Sequence, residues 1–188
     1  MLVLASASPR RQELLRNAGI EFVVHPANVP EIPRDGELPG AFAERMAREK
    51  ANAVFALRPN DLILGADTVV VVDGKILGKP RDTADAAGML RLLSGRKHEV
   101  ITGVCVAGRR LRTENTRSES TTVIMNPLSD DDIRGYVASG EPMDKAGGYA
   151  IQGMASRWIS RIEGDYFNVV GLPVALVWRM LKEAQGQA

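Results

Sequence analysis

The apolar positions of this chain change period several times, and each change marks an element boundary. A short apolar strand runs through Leu4. Over residues 9–18, Leu14, Leu15 and Ala18 fall at helical spacing, and Gly19 supplies a natural stop. Residues 20–25 alternate as a strand, and residues 26–39 form a loop rich in proline and charge. A second helix is expected over about 41–57, with Phe42, Met46, Ala53, Val54 and Leu57 on its apolar face. The strongest strand spans 61–72, where continuous β-branched character implies burial on both faces. Asp73-Gly74 is a hairpin turn signal leading into Lys75-Ile76-Leu77.

Residues 83–93 read as a helix stopped by Gly95, and 98–107 and 111–125 as two long antiparallel strands. Ser129 with Asp132 three residues on opens a further helix in capping-box fashion, ended by Gly140. After a glycine-rich, charged loop over 141–153 come a short strand at 156–162 and a closing helix at 173–184. Helices and strands alternate while several neighbouring strands look like hairpin partners, so the expected class is α/β with a mixed central sheet. No repeat, low-complexity tract or linker interrupts the chain, which reads as a single domain over 1–188.

Composition narrows the possibilities. Lys and Arg total 24 against 23 Asp and Glu, a balance that argues against a nucleic-acid coat. The single cysteine, Cys105, excludes an internal disulfide and a multi-cysteine zinc site, and Val-Cys-Val places it in a buried strand. The N-terminus lacks the features of a secretory signal, and no run approaches the roughly 18 apolar residues of a membrane span. The expectation is a soluble, cytoplasmic protein with no membrane partner.

The chemistry starts at Ser6-Ala7-Ser8-Pro9-Arg10-Arg11. Proline suits the first helical position and a preceding serine suits the N-cap, so Ser8 is expected to cap a helix opening at Pro9. A helix N-terminus flanked by two guanidiniums suits a phosphate. Asp67, inside Leu-Ile-Leu-Gly-Ala-Asp-Thr-Val-Val, is costly to bury unless it is paired, metal-bound or at a strand end. It is a candidate general base or metal ligand, with the capping of a neighbouring helix as the structural alternative. Lys79, in Gly-Lys-Pro, is as consistent with a solvated loop as with a ligand site. Lys50 has the spacing of an exposed helical lysine, and Glu31 that of a solvated loop acid. The 140–153 loop is too elaborate for a connector, and its Gln152 carries the donor and acceptor needed to read a base edge. His25 and His98 have no metal-site spacing, and Trp158 and Trp178 read as core aromatics. With neither a Walker-type loop nor a dinucleotide fingerprint, ATP-driven work and NAD chemistry have no support.

These motifs, taken in order, resemble the Maf family of nucleoside triphosphate pyrophosphatases along essentially the whole chain. The carrying residues are Leu4-Ala5-Ser6-Ala7-Ser8-Pro9-Arg10-Arg11, Ala47-Arg48-Glu49-Lys50-Ala51, Gly65-Ala66-Asp67-Thr68 and Gly78-Lys79-Pro80. They continue through Gly140 to Gly153 and Val170-Gly171-Leu172-Pro173. The resemblance implies an elongated mixed sheet flanked by helices, with two lobes and a cleft, similar to inosine-triphosphate pyrophosphatases. It implies cleavage between the α and β phosphates with a divalent metal, magnesium or manganese, for which Glu31 and Asp67 are the candidate ligands. Asp67 matches the proton acceptor; Arg10, Thr68 and Gln152 match positions tied to substrate choice; Ser8, Arg11, Glu31, Lys50 and Lys79 match substrate-lining residues. Around Glu31, Val-Pro-Glu-Ile departs from the usual acidic pair. The loop ending in Gln152 resembles the dTTP- and UTP-cleaving branch, with a nucleoside triphosphate as partner and a homodimer implied by the family alone. The alternatives are 7-methyl-GTP specificity and a non-catalytic nucleotide-binding regulator of septum formation.

Overall fold

The computed structural model describes residues 1–108 and 115–186. A seven-stranded sheet flanked by helices runs in the order β2-β1-β3-β5-β6-β7, with β4 paired to β3. Its strands are β1 (Leu2–Leu4), β2 (Val23–Val24), β3 (Leu62–Val72), β4 (Lys75–Leu77), β5 (Lys97–Ala107), β6 (Asn115–Met125) and β7 (Ile159–Glu163). β1 pairs parallel with β2 and β3, whereas β3–β4 and β6–β7 pair antiparallel, so the sheet is mixed as expected. The helices are α1 (Pro9–Asn17), α2 (Pro39–Leu57), α3 (Thr83–Leu93), α4 (Asp130–Ala138), α5 (Tyr166–Val170) and α6 (Val174–Ala184). Asp73 and Gly74 both take positive φ, as the tight β3–β4 hairpin requires. Ser129 and Asp132 form the full reciprocal capping box of α4.

Several sequence expectations shift. The strand expected at 20–25 contracts to Val23–Val24, because its partner β1 ends at Leu4. The strand expected at 156–162 begins at Ile159, because Met154–Arg157 winds into a 3₁₀ turn first. The short helix α5 had no signal in the pattern. The start of the strand expected at 111–125 falls at residues 111–114, outside the described residues. Trp158 is buried in the core, but Trp178 is 51% exposed on α6, where the Lys182 ammonium lies 4.8 Å from its ring centroid.

The chain divides into two compact units. The first comprises Met1–Thr68, Thr102–Glu119 and Gly171–Ala188; the second comprises Val69–Ile101 and Ser120–Val170. In the first, α2 lies on the sheet over a core of Val3, Ala5, Ala47, Ala51, Val54, Ile63 and the buried Cys105. Its approach is unusually close at two places. A Cβ on Gly65 would sit 2.1 Å from the Ala47 carbonyl oxygen, and one on Gly103 2.2 Å from that of Ala43. In the second unit, α3 and α4 cover a core that includes Val70, Leu90, Val123, Tyr136, Tyr149 and Trp158. No helix among the described residues is long and apolar enough to cross a membrane.

Because the atoms met at Gly65 and Gly103 are backbone, a methyl group there cannot be relieved by a rotamer change. Gly65→Ala or Gly103→Ala is expected to cost about 3 kcal/mol, the upper range of overpacking. That lowers the thermal midpoint by roughly 6–12 °C, to be checked by calorimetry.

Candidate active site

β3 alternates its side chains, so Gly65 and Asp67 face the same way. Gly65 admits the backbone of α2 at Ala47 and Ala51, and Lys50 lies in that same helical turn. Its ammonium donates to Asp67 Oδ1 at 2.6 Å and to Glu31 Oε1 at 2.6 Å. Asp67 is 6% exposed and Lys50 8%, so the exposed lysine expected from spacing is a buried one. Glu31 closes the pair from the 26–38 loop with its side chain 46% exposed.

That loop is itself anchored to α2. Arg45 makes a forked pair with Glu37, Nε to Oε1 at 2.6 Å and Nη2 to Oε2 at 2.7 Å. It also donates to Glu49 Oε1 at 3.0 Å and to the carbonyl of Ile32, the neighbour of Glu31. The Arg45 contacts hold the Glu37 carboxyl down at about 2, well below the usual range. In the sequence Arg45 carries only its i,i+4 spacing to Glu49; its loop partners leave no local signal.

A second network surrounds Thr68. Arg11, on α1 and 9% exposed, donates Nε–H to Gly171 O at 2.8 Å, Nη1–H to Ser6 Oγ at 3.0 Å and Nη2–H to Thr68 Oγ1 at 3.0 Å. Three of its five N–H donors are thus committed to the protein. Burial lowers the Arg11 pKa, while the charges of Asp67 and Glu31 act to raise it. The Thr68 hydroxyl also contacts Thr102 Oγ1 at 2.9 Å and donates to Gly171 O at 3.3 Å. One donor and two acceptor positions are then filled, so in this arrangement Thr68 has no hydrogen-bonding capacity left for a ligand.

Ser8 occupies the N-cap of α1 with Pro9 behind it, but its side chain does not cap the helix, contrary to expectation. Instead the Ser8 N–H donates to Ser6 Oγ at 3.3 Å. Arg10 is half-buried one residue into the helix. The first unit therefore assembles Ser8, Arg10, Arg11, Glu31, Lys50, Asp67 and Thr68 on α1, α2, β3 and one anchored loop.

Lys79 and Gln152 belong to the second unit, and both are exposed. Lys79 follows Gly78, whose carbonyl accepts the Gly147 N–H at 3.0 Å. Tyr149, from the same loop as Gln152, meets His98 Nε2 through its hydroxyl at 2.7 Å, with the two rings edge to face. His98 Nδ1 is buried with no hydrogen-bond partner among the described residues, and burial lowers the imidazole pKa from 6.5 to about 4.

No group of three or more His, Cys, Asp or Glu side chains able to hold a metal occurs among the described residues. What the first unit offers instead is two carboxylates converging on one cation, the Lys50 ammonium. Paired carboxylate oxygens are the donor type that magnesium or manganese takes from a protein when substrate phosphates complete the shell.

The sequence model described as "Maf-like protein" matches residues 1–184. Over 183 residues the chain is 57% identical to the dTTP/UTP pyrophosphatase of Koribacter versatilis, covering 97% of this chain and 94% of that one. It is 53% identical over 178 residues to the dTTP/UTP pyrophosphatase of Syntrophomonas wolfei, covering 95% and 94%. Among solved structures, the Staphylococcus aureus Ham1 protein aligns with a TM-score of 0.51 over 97% of this chain and 98% of that one. At 12% identity it speaks for a shared fold alone.

Two outcomes follow from these contacts. Lys50→Met leaves the buried Asp67 carboxylate without its cation and is expected to cost about 3 kcal/mol, measured by urea unfolding at pH 7. A loss below about 0.5 kcal/mol would show that the pair adds no more than an average surface contact. Above pH 6.5 His98 is neutral whether folded or unfolded and costs nothing. Between 6.5 and about 4 only the unfolded chain takes up the proton, so stability falls with pH. At about 1.4 kcal/mol per pH unit, roughly 2 kcal/mol is lost between pH 7 and pH 5. Titrating stability across that window should show a shallower fall for His98→Gln.

Proposed function

Because the chain belongs to the Maf-like protein family, we propose that it hydrolyses dTTP and UTP to the monophosphate and pyrophosphate. The observation that carries this reading is its near-full-length similarity to relatives named dTTP/UTP pyrophosphatase. The site geometry alone fits phosphoanhydride hydrolysis more broadly.

In the proposed mechanism Asp67 is the general base. Lys50 holds Oδ1, so Oδ2 is the oxygen assigned to take a proton from the attacking water. Lys50 keeps that carboxylate oriented and its charge compensated, which favours a single productive geometry over a mobile acid. Arg10 and the N-terminal N–H groups of α1 are assigned to the phosphates, the attraction being both charge and helix dipole. Arg11 contributes its remaining N–H donors while fixing Thr68 and the Gly171 carbonyl. A divalent ion, held by Glu31 with Asp67 Oδ1 as the second candidate oxygen so that Oδ2 stays open for the proton, would offset the charge that develops on the phosphates. Glu31 is exposed enough to exchange Lys50 for such an ion, whereas Asp67 stays anchored on β3. Lys79 is assigned a phosphate contact, and Gln152 the O4 and N3–H edge of thymine or uracil, both on the strength of the family motifs.

The test is pyrophosphate release over a panel of nucleoside triphosphates that includes CTP and 7-methyl-GTP, with magnesium or manganese and with chelator. Asp67→Asn is expected to slow turnover about 100-fold or more, and Gln152→Ala to reduce the preference for dTTP over CTP about tenfold. Release from none of the triphosphates would overturn the proposed activity, and an Asn variant with full turnover would remove Asp67 as the base.

A further inference from the structure

The turn that carries Gln152 is gripped on both sides by two residues that nothing above places in the reaction. Tyr136, on α4 and 1% exposed, accepts the Ala150 N–H at its hydroxyl, 3.2 Å away. The same hydroxyl donates to Glu141 Oε1 at 2.8 Å. Glu141 in turn accepts the Met154 N–H on its carboxylate, Oε1 at 3.1 Å and Oε2 at 3.2 Å. Ala150 and Met154 stand two residues before and two residues after Gln152. Between them the Gly153 N–H closes a turn onto the Ala150 carbonyl at 3.1 Å.

We propose that Tyr136 and Glu141 are positioning residues, a clamp that fixes the turn of Gln152 and thereby sets pyrimidine selectivity. Both members are themselves immobilised. The Tyr136 ring packs edge to face on Trp158 with centroids 5.4 Å apart. The backbone of Glu141 is bound at both ends, its N–H donating to Ser139 Oγ at 3.2 Å and its carbonyl accepting Lys145 Nζ at 2.6 Å. Gly153 is what lets the carboxylate reach across: a Cβ there would lie 2.0 Å from Glu141 Oε1 and 2.5 Å from its Cδ. Its φ of −100° is open to any residue, so this glycine is required by space and not by backbone conformation.

An amide side chain that reads a base edge must hold its donor and acceptor at fixed points, and its own rotamers cannot do so if the backbone beneath it drifts. Gln152 is exposed, and the backbone bonds that tie its turn to the rest of the unit run to Tyr136 and Glu141, so the rigidity comes from the clamp. The inference rests on the assignment of Gln152 to the pyrimidine edge, and the experiment separates the two.

The measurement is kcat/KM for dTTP and for CTP, by pyrophosphate release, in five forms of the full chain. These are the unaltered protein, Gln152→Ala, Tyr136→Phe, Gly153→Ala and the double variant Tyr136→Phe/Gln152→Ala. Tyr136→Phe keeps the ring and deletes both hydroxyl contacts; Gly153→Ala displaces the Glu141 carboxylate by steric contact with both clamp residues left unsubstituted, and carries the test should the former fold poorly. Each is expected to lower the dTTP-over-CTP ratio about fivefold, in keeping with hydrogen bonds that act at one remove. In the Gln152→Ala background, Tyr136→Phe should leave the ratio within about 1.5-fold, because the two act as a unit. A loss of activity equal on both nucleotides would mark the contacts as merely structural and overturn the clamp. So would a ratio that collapses in Gln152→Ala yet survives both clamp variants, with the base assignment left standing. A ratio untouched by Gln152→Ala would overturn the base assignment, and the role of the clamp in selectivity with it.

Discussion

The first unit depends on how closely α2 can lie on β3. A helix normally stands off a sheet by the length of its side chains, but at Gly65 and Gly103 the strands offer no side chain at all. The Ala43, Ala47 and Ala51 positions complete the fit, one small residue per turn along the contacting stripe. Once the helix is that close, Lys50 does not need to cross solvent to meet Asp67. It arrives already desolvated, and an ammonium without a partner there would cost several kcal/mol. Packing thus comes first and the ion pair is its consequence: the glycines determine the distance, and the distance demands opposite charges.

Within that frame the polar residues split into those that are spent and those that are held in reserve. The Thr68 hydroxyl is spent, and Arg11 has three of its five N–H donors committed. Their hydrogen bonds to Ser6, Thr102 and Gly171 tie the loop after β1 and the loop before α6 to the middle of β3. Glu31 is held in reserve, since a flexible ammonium can leave it as a rigid guanidinium fork would not, while Lys50 stays on Asp67 Oδ1. The division also explains why Glu31 needs Arg45. A half-exposed carboxylate on a proline-rich loop would wander, and the forked Arg45–Glu37 pair beside Ile32 keeps it within reach of Lys50.

Elements whose signals are local were legible in the sequence. The β3–β4 hairpin could be read from Asp73-Gly74, α3 from its apolar spacing and Gly95, and α4 from Ser129 and Asp132, because each depends on residues within a few positions of one another. Asp67 was legible for the opposite reason, as a charge in a run that otherwise excludes charge. What could not be read depends on long-range partners. Lys50 has the spacing of a surface lysine, and only the glycine at position 65 makes it a buried one. Trp178 looks like core, yet α6 turns it outward under Lys182. The start of β7 is displaced by a turn whose anchor, Glu141, is thirteen residues upstream of Met154. The family motifs point to candidate substrate-facing residues but carry no signal for Arg45 or Tyr136, whose partners lie in distant loops.

The two units show two ways of making a side chain stand still. On β3 and α2 regular backbone does it: Asp67 and Lys50 inherit their positions from ladders and helical bonds that are satisfied whatever the side chains are. The Gln152 turn has no such ladder. Apart from the Gly153 N–H, which bonds the Ala150 carbonyl, its flanking N–H groups at Ala150 and Met154 find acceptors in a phenol and a carboxylate, since an unpaired one in a half-buried loop is costly. A loop fixed in this way is easier to retune than a strand, because one substitution at an acceptor moves the turn without disturbing the sheet. Placing the proposed base-reading glutamine on the loop and the proposed base catalyst on the strand therefore separates what can vary between substrates from what cannot.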